Sequence, residues 1–496
     1  MLAHQNSLAG TGGVLSMRPR TIVVATLAVM FQIGSVPARA QSGSYASGIS
    51  SASAMQTQSP FAASVPSKSI PGVLQLSLKD AIDRGLKQNL GLLFSAENVN
   101  YARGERWKEL SSLLPNATNS TFIGESQIHL AEEGFTFNIP GVSIPTSDGP
   151  FSFYDSRVFL SQTVFDWKEI NRTRATTQSL KSAQYSYKDA RDLVVLATGY
   201  TYLQAIAGEA RVETADAQVR TAQAVYDQTA DRLKAGTSPA IDALRAQVEL
   251  KARQQQLISA KNSFEIQKLT LARVIGLGPG QEFELTDKSL YEPMAGMTLD
   301  EALKRAYVSR SDFQAALADL RAAEYSRRAA KAGYLPTLAF GADYGIAADY
   351  PDTKLVHGVF DVRGTLTIPL FEGGRVHGDV VEADAKLQQS REKVESLRAQ
   401  IAADVRTALL NLESSSEQVA VAQSNIDLAE QTLTQARDRF SAGVTDTVEV
   451  VQAQEAVASA HENYIASLYA FNFAKISLAR SLGLAEEGVK EYFRGK

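Results

Sequence analysis

Between residues 401 and 440, Val405, Leu412, Val419, Ile426, Leu433 and Phe440 recur at a spacing of seven, and Ile401, Ala408, Ser415, Ala422, Ala429 and Ala436 form a partner series four residues earlier. One seam is bulky and the other small. The pattern returns at Val212, Val219, Tyr226 and Leu233 beside Gly208, Ala215 and Ala222. A sustained seven-residue period imposes a left-handed supercoil, and a small-residue seam lets helices approach closely. The predicted long helices cover about 168–235 and 373–441, close to 70 residues or roughly 100 Å each at ~1.5 Å per residue. Shorter periodic segments at about 79–112, 240–275, 300–333 and 447–482 sum, within each half of the chain, to one long helix. Two short helices placed end to end are expected to pair with one long one, with segments such as 276–298 halfway along the rod.

Between the helices the period changes to two. In 360–370, Phe360, Val362, Leu366, Ile368 and Leu370 share one face and Asp361, Arg363, Thr365 and Thr367 the other. Segment 336–346 alternates likewise, with Leu338, Phe340, Ala342, Tyr344 and Ile346 opposite Thr337, Gly341, Asp343 and Gly345. Segments 116–126 and 153–165 follow less cleanly. Such alternation suits a tilted strand of a membrane barrel and, equally, a soluble sandwich with one wet face.

The order of elements is written twice. Leu78-Lys79-Asp80-Ala81-Ile82 returns as Leu299-Asp300-Glu301-Ala302-Leu303 and Leu114-Pro115 as Leu335-Pro336, both 221 positions on. Asp155-x-Arg157 matches Asp361-x-Arg363 at an offset of 206, and Asp231-Arg232-Leu233-x-Ala235-Gly236 matches Asp438-Arg439-Phe440-x-Ala442-Gly443 at 207. The drop in offset places the extra residues of the first copy in a Gly, Pro and Ser-rich loop, Glu132 to Pro150. This internal tandem duplication divides the chain into a first repeat at 76–290 and a second at 297–484, followed by a tail at 485–496.

Residues 17–40 run from Arg18 and Arg20 through an apolar stretch, Ile22 to Ile33, to Ala38-Arg39-Ala40. That order is the signature of a secretory signal peptide, assigned to 1–40, and the Ser, Ala and Gln-rich 41–75 is expected to be flexible. No other stretch is apolar for the ~18 residues a helical span requires. The 496 residues carry 50 basic and 54 acidic side chains, net −4, with no cysteine. The charge balance lacks the basic excess of a nucleic-acid groove, and the missing cysteine excludes disulfides, thiolate chemistry and a cysteine-linked lipid. Export favours the membrane reading of the strands. Four strands cannot close a barrel, since closure takes about eight or more, and lipid tolerates no open sheet edge. Chains must then pool strands, eight in a dimer or twelve in a trimer.

With the duplication, Leu335-Pro336 leading into a strand, Pro369-Leu370-Phe371-Glu372-Gly373-Gly374 at the return to the long helix and Arg439-Phe440-x-x-Gly443 at the far turn, the chain resembles the TolC family of outer-membrane efflux proteins, in a non-lipidated form. The resemblance covers about Leu76 to Leu484. It implies an α+β membrane protein of the outer membrane of a Gram-negative bacterium. Four transmembrane strands per chain would join a twelve-stranded β-barrel in a homotrimer, and a coiled-coil α-helical barrel would continue it into the periplasm. It also implies a passive exit duct for efflux or type I secretion, docked by a periplasmic adaptor (membrane fusion) protein onto an inner-membrane transporter of RND, ABC or MFS type.

Gly236 and Gly443 suit the left-handed conformation that ends a helix and mark the two tip turns. By resemblance, Arg232, Leu233, Arg439 and Phe440 occupy adaptor-contact positions, and Glu449 and Gln452, six and nine residues after Gly443, occupy positions where acidic rings constrict the pore. An amide at 452 departs from that pattern. Asp155, Arg157, Asp361 and Arg363 are expected to face the barrel lumen. Nothing suggests catalysis, a metal or a cofactor: His4, His129, His357, His377 and His461 show no ligand spacing, and HExxH and GxSxG are missing. Gly276-Leu277-Gly278-Pro279-Gly280 follows a helix and so fails as a phosphate loop. A periplasmic coiled-coil scaffold or adaptor, without membrane strands, is the competing class.

Overall fold

The computed structural model describes residues 61, 63–69, 71–129, 147–287, 296–349 and 356–492. The signal-peptide assignment, most of the expected loop after Glu132 and the end of the tail lie outside these residues. In chain order the elements are β1 (Leu74–Leu76), α1 (Leu78–Gln88), α2 (Leu90–Ser111), β2 (Asn116–His129), β3 (Ser147–Phe165), α3 (Trp167–Lys234), α4 (Ala240–Val274), β4 (Phe283–Leu285), α5 (Leu299–Ser309), α6 (Ser311–Lys331), β5 (Thr337–Asp349), β6 (Val356–Thr367), α7 (Arg375–Ser441), α8 (Thr447–Ser481) and α9 (Ala485–Tyr492).

The long helices α3 and α7 have 68 and 67 residues, about 100 Å each. On α7 most of both seams is buried, at Ile401, Val405, Ala408, Ser415, Val419, Ala422, Ile426, Ala436 and Phe440, with Leu412, Ala429 and Leu433 half-buried. On α3 the small seam of Gly208, Ala215 and Ala222 is buried, but the bulky one is not, Val212, Val219 and Tyr226 being half-buried and Leu233 exposed. Helices α2 and α4 pack along α3, and α8 packs mainly along α7, while α6 packs against both long helices and more extensively on α3, so the expected one-to-one pairing of short helices with a long one holds only in part. The small seam works as expected at Gly208, where an added Cβ would stand 2.0 Å from Gln267 Oε1 of α4.

The segments expected as single helices at 79–112 and 300–333 are each broken. At Asn89 (φ −66°, ψ 127°) the buried side chain accepts hydrogen bonds from the Gly91 and Leu92 N–H groups at 3.0 and 3.3 Å and donates to Phe61 O at 2.8 Å. At Arg310 (φ −64°, ψ 118°) the buried guanidinium donates to Asp312 at 2.6 Å and to Asp404 of α7 at 2.9 Å. Each break uses one residue, so the apolar period carries across it. Residues 63–69, within the stretch expected to be flexible, are ordered. Val65 N–H donates to Gln88 O, Ala63 O accepts from Leu90 N–H, and Ser67 N–H donates to Gly276 O, all at 2.8–3.0 Å.

That segment leads to β1, which pairs in parallel with β4 across Leu74–Phe283 and Leu76–Leu285. The small sheet packs with Tyr202, Leu271, Ile275, Ile476 and Ala485 into a buried cluster at the waist. Tyr202 Oη donates to Asp287 Oδ2 at 2.9 Å or to Leu76 O at 3.0 Å, and Asp287 also receives the Leu78 N–H at 2.7 Å. The expected tail starts with α9, docked by Arg191–Glu486 at 2.8 Å and by the Glu486 N–H on Asp192. Burial pushes the Asp192 carboxyl up to about 6, with Arg480 opposing and Asp189 reinforcing the shift.

A four-stranded antiparallel sheet has the order β2-β3-β5-β6, so β3 and β5 join the two halves and β2 and β6 are its edges. All four strands, at 14, 19, 13 and 12 residues, extend beyond the alternating segments or are shifted from them. Ser147–Pro150, expected in the loop, begins β3, and β6 covers 356–367 rather than 360–370. Pairing carries the strands past positions such as Gly358 and Gly364 that blur the alternation.

Candidate functional site

The two helix turns at the far end of the rod share one backbone solution. Gly236 and Gly443 both sit at φ 72°. Their N–H groups donate to Leu233 O at 3.0 Å and Phe440 O at 3.1 Å, and the next N–H groups, of Thr237 and Val444, donate to Arg232 O and Arg439 O at 2.9 Å. This pair of bonds is the Schellman closure, which glycine permits because it lacks the Cβ penalty of the left-handed region.

The four residues before the glycines do different work. Phe440 is 5% exposed and packs with Val225, Ala246, Ala436, Val450 and Ala453, so its ring lies inside the tip, while Leu233 is 39% exposed. Arg232 lies over the Phe440 ring at 4.5 Å and donates to Phe440 O and Ser441 O at 3.0 and 3.1 Å, fastening the end of α3 to the end of α7. Arg439 points instead to Glu449, with Nε 3.4 Å from Oε1. The other Glu449 oxygen accepts from the Thr445 hydroxyl. Asp446 caps α8 by accepting from Val448 N–H at 3.1 Å, and Gln452 is exposed further along that helix. Arg232, Arg439, Phe440 and Glu449 are thus brought together. Thr445, which sequence reading passed over, joins them; a hydroxyl four residues before a carboxylate at a helix start was its signal.

The sheet has one apolar and one charged face. Ile123, Val158, Leu160, Tyr344, Ile346, Phe360, Val362 and Leu366 share a face by register, and all are exposed. Asp155, Arg157, Asp361 and Arg363 share the opposite face and converge on a fifth residue, Asp343, whose side chain is 4% exposed. Arg157 Nε donates to Asp155 at 2.8 Å, and its other nitrogens reach Asp155 and, at 3.4 Å, Asp343. Arg363 is 3.3 Å from Asp361 and 4.0 Å from Asp343. Gly345 and Gly341 stand opposite Arg157 and Arg363 in the register, two residues to either side of Asp343. A Cβ on Gly345 would meet the Arg157 Cα at 2.6 Å, so the missing side chain is what lets the strands and the arginine lie flat.

Among the described residues, no three His, Asp or Glu side chains gather as metal ligands, and no helix is long and apolar enough to cross a membrane.

The sequence profile of the family described as Outer membrane efflux protein matches residues 81–277 and 302–484. The pyoverdine export outer membrane protein OpmQ of Pseudomonas putida is 22% identical over 343 residues, 68% of this chain and 72% of that protein. The outer membrane protein TolC of Escherichia coli is 23% identical over 351 residues, 66% of this chain and 69% of that protein. Among solved structures, the CmeC outer membrane channel of Campylobacter jejuni superposes with a TM-score of 0.71 at 18% identity, covering 84% of this chain and 88% of that one.

Proposed function

Because this chain belongs to the outer membrane efflux protein family, a family of outer-membrane exit ducts for efflux or secretion, we propose that it works as a homotrimer whose three sheets close one twelve-stranded barrel. In this reading the long helices form a tunnel that carries cargo from the periplasm to the outside. The observation that carries it is the sheet itself: four antiparallel strands with an exposed apolar face and two edges, β2 and β6, unpaired among the described residues. Its strands of 12 to 19 residues exceed the ~9–11 a tilted barrel strand requires. Such a face is stable in hydrocarbon, but such edges are not, because every backbone N–H and C=O there must be paired. Pairing β6 of one chain with β2 of the next satisfies both.

The proposed repeats are 76–290 and 297–484, meeting where β3 pairs with β5. The tip turns at Gly236 and Gly443 would point into the periplasm, with Arg232, Leu233 and Arg439 met by an adaptor protein and Phe440 holding their helices together. Glu449 and Gln452 would line the narrowest part of the tunnel, and Asp155, Arg157, Asp343, Asp361 and Arg363 the barrel lumen. The chain would act passively, with an inner-membrane transporter of RND, ABC or MFS type supplying the energy.

Reconstitution of the purified protein in planar bilayers, with the oligomer mass measured in the same preparation, tests this. Discrete long-lived conductance from a trimer is expected. A soluble, nonconducting protein would place the chain among periplasmic scaffolds.

A further inference from the structure

We propose that Arg439 is a specificity-determining residue that masks the Glu449 carboxylate at the periplasmic mouth of this duct, so that the constriction selects for cations much less than three free carboxylates would. The proposal rests on the preceding placement of Glu449 and Gln452 at the constriction. Of the two positions, Gln452 carries no charge, and Glu449 has both carboxylate oxygens engaged within its own chain, one by Arg439 at 3.4 Å and one by the Thr445 hydroxyl. Arg439 is held at that point because its neighbour Phe440 is buried and pinned by Arg232. The turn therefore presents a cation and an anion side by side.

Magnitudes separate this role from a structural one. Both side chains are partly exposed, and an exposed ion pair adds little to stability because solvent screens it. The same charge matters far more to a permeating ion, since a narrow mouth of three chains places every solute within the ~8 Å over which charges act in physiological salt. Three unmasked carboxylates would favour cations; three masked ones would do so much less.

The test is the cation-to-anion permeability ratio from reversal potentials in a salt gradient, for wild type, R439Q, R439K, E449Q and the R439Q/E449Q double variant. Removing the arginine is expected to raise the ratio by about twofold or more, and removing the carboxylate to lower it by a similar factor. R439K and the double variant should return to the wild-type ratio, which a merely damaged tip would not do. If E449Q shifts the ratio and R439Q does not, the masking role is overturned while Glu449 keeps its place in the mouth. If neither shifts it in channels of normal conductance, Glu449 lies outside the conducting path, and the proposal falls with that placement while the duct stands. If wild type forms no channels, the duct itself is wrong.

Discussion

At the first tip turn Arg232 leaves its own helix pair and fastens onto the ring and carbonyl of Phe440, whereas at the second turn Arg439, 207 positions later, stays with Glu449 across its own turn. The acids correspond as well. Asp242, again 207 positions before Glu449, accepts from Ser238 at 3.1 Å and lies 3.8 Å from Arg245. Two turns with the same glycine dihedral, the same carbonyl closures and the same hydroxyl-to-acid bond, Ser238 to Asp242 and Thr445 to Glu449, therefore differ in where the arginine goes. Backbone geometry is set by glycine and the helix ends, while the charges above it are free to serve packing in one copy and a surface in the other.

The sharpest way to break this comparison is at Phe440 and its counterpart Leu233. Phe440→Ala should lower stability by about 3–4 kcal/mol in thermal melts of the detergent-purified protein, because it empties the tip cluster and removes the platform under Arg232. Leu233→Ala should cost less than about 1 kcal/mol. Equal losses would mean that the two turns are packed alike.

The next pair is the two helix breaks. Arg310→Ala leaves Asp312 and Asp404 facing one another without their cation and should cost about 3 kcal/mol. Asn89→Ala removes one cap acceptor and should cost about 1–2 kcal/mol. Unfolding by urea of both variants would rank them.

Asp192 is buried where Ala399, 207 positions later, is exposed. Its folded pKa of about 6 lies above the ordinary 3.8, so the folded state favours the protonated acid. Its contribution is therefore fully present below about pH 4 and is lost as pH rises through 6. Asp192→Asn keeps an acceptor for the Glu486 N–H and should gain on the order of 2 kcal/mol over wild type at pH 7.5, fading towards zero at pH 4. A difference unchanged between those pH values would refute the assignment. Least of all, Gly236→Ala and Gly443→Ala should each cost about 1 kcal/mol from the positive φ alone, since a Cβ meets nothing within 4 Å at either site. Unequal values in the same melts would show that the two backbones are strained differently.

Much of the rod was legible because a seven-residue period over nearly 70 residues has few competing explanations. The buried seam of α7 is the one read from the sequence, and the expected limits of both long helices fall within two residues of those observed. The breaks at Asn89 and Arg310 escaped because one residue in a capping conformation leaves the apolar face in phase, although Asn89 carried a cap signal. The pairing of β1 with β4 joins three-residue segments 209 positions apart, too short to have a period of their own. In the sheet, alternation identified the charged face but not Asp343 as its centre. That depends on the register that sets Gly341 and Gly345 opposite Arg363 and Arg157.

The waist cluster also constrains how the molecule is made. Leu76 and Ala485, 409 positions apart, are buried in the same cluster, together with Ile476 of α8. A chain delivered vectorially, amino terminus first, holds its early apolar residues unsatisfied until nearly the last turn of helix has emerged. Maturation is thus timed by the end of translocation, and a truncation that removes only α8 and α9 should leave a product visible to periplasmic proteases.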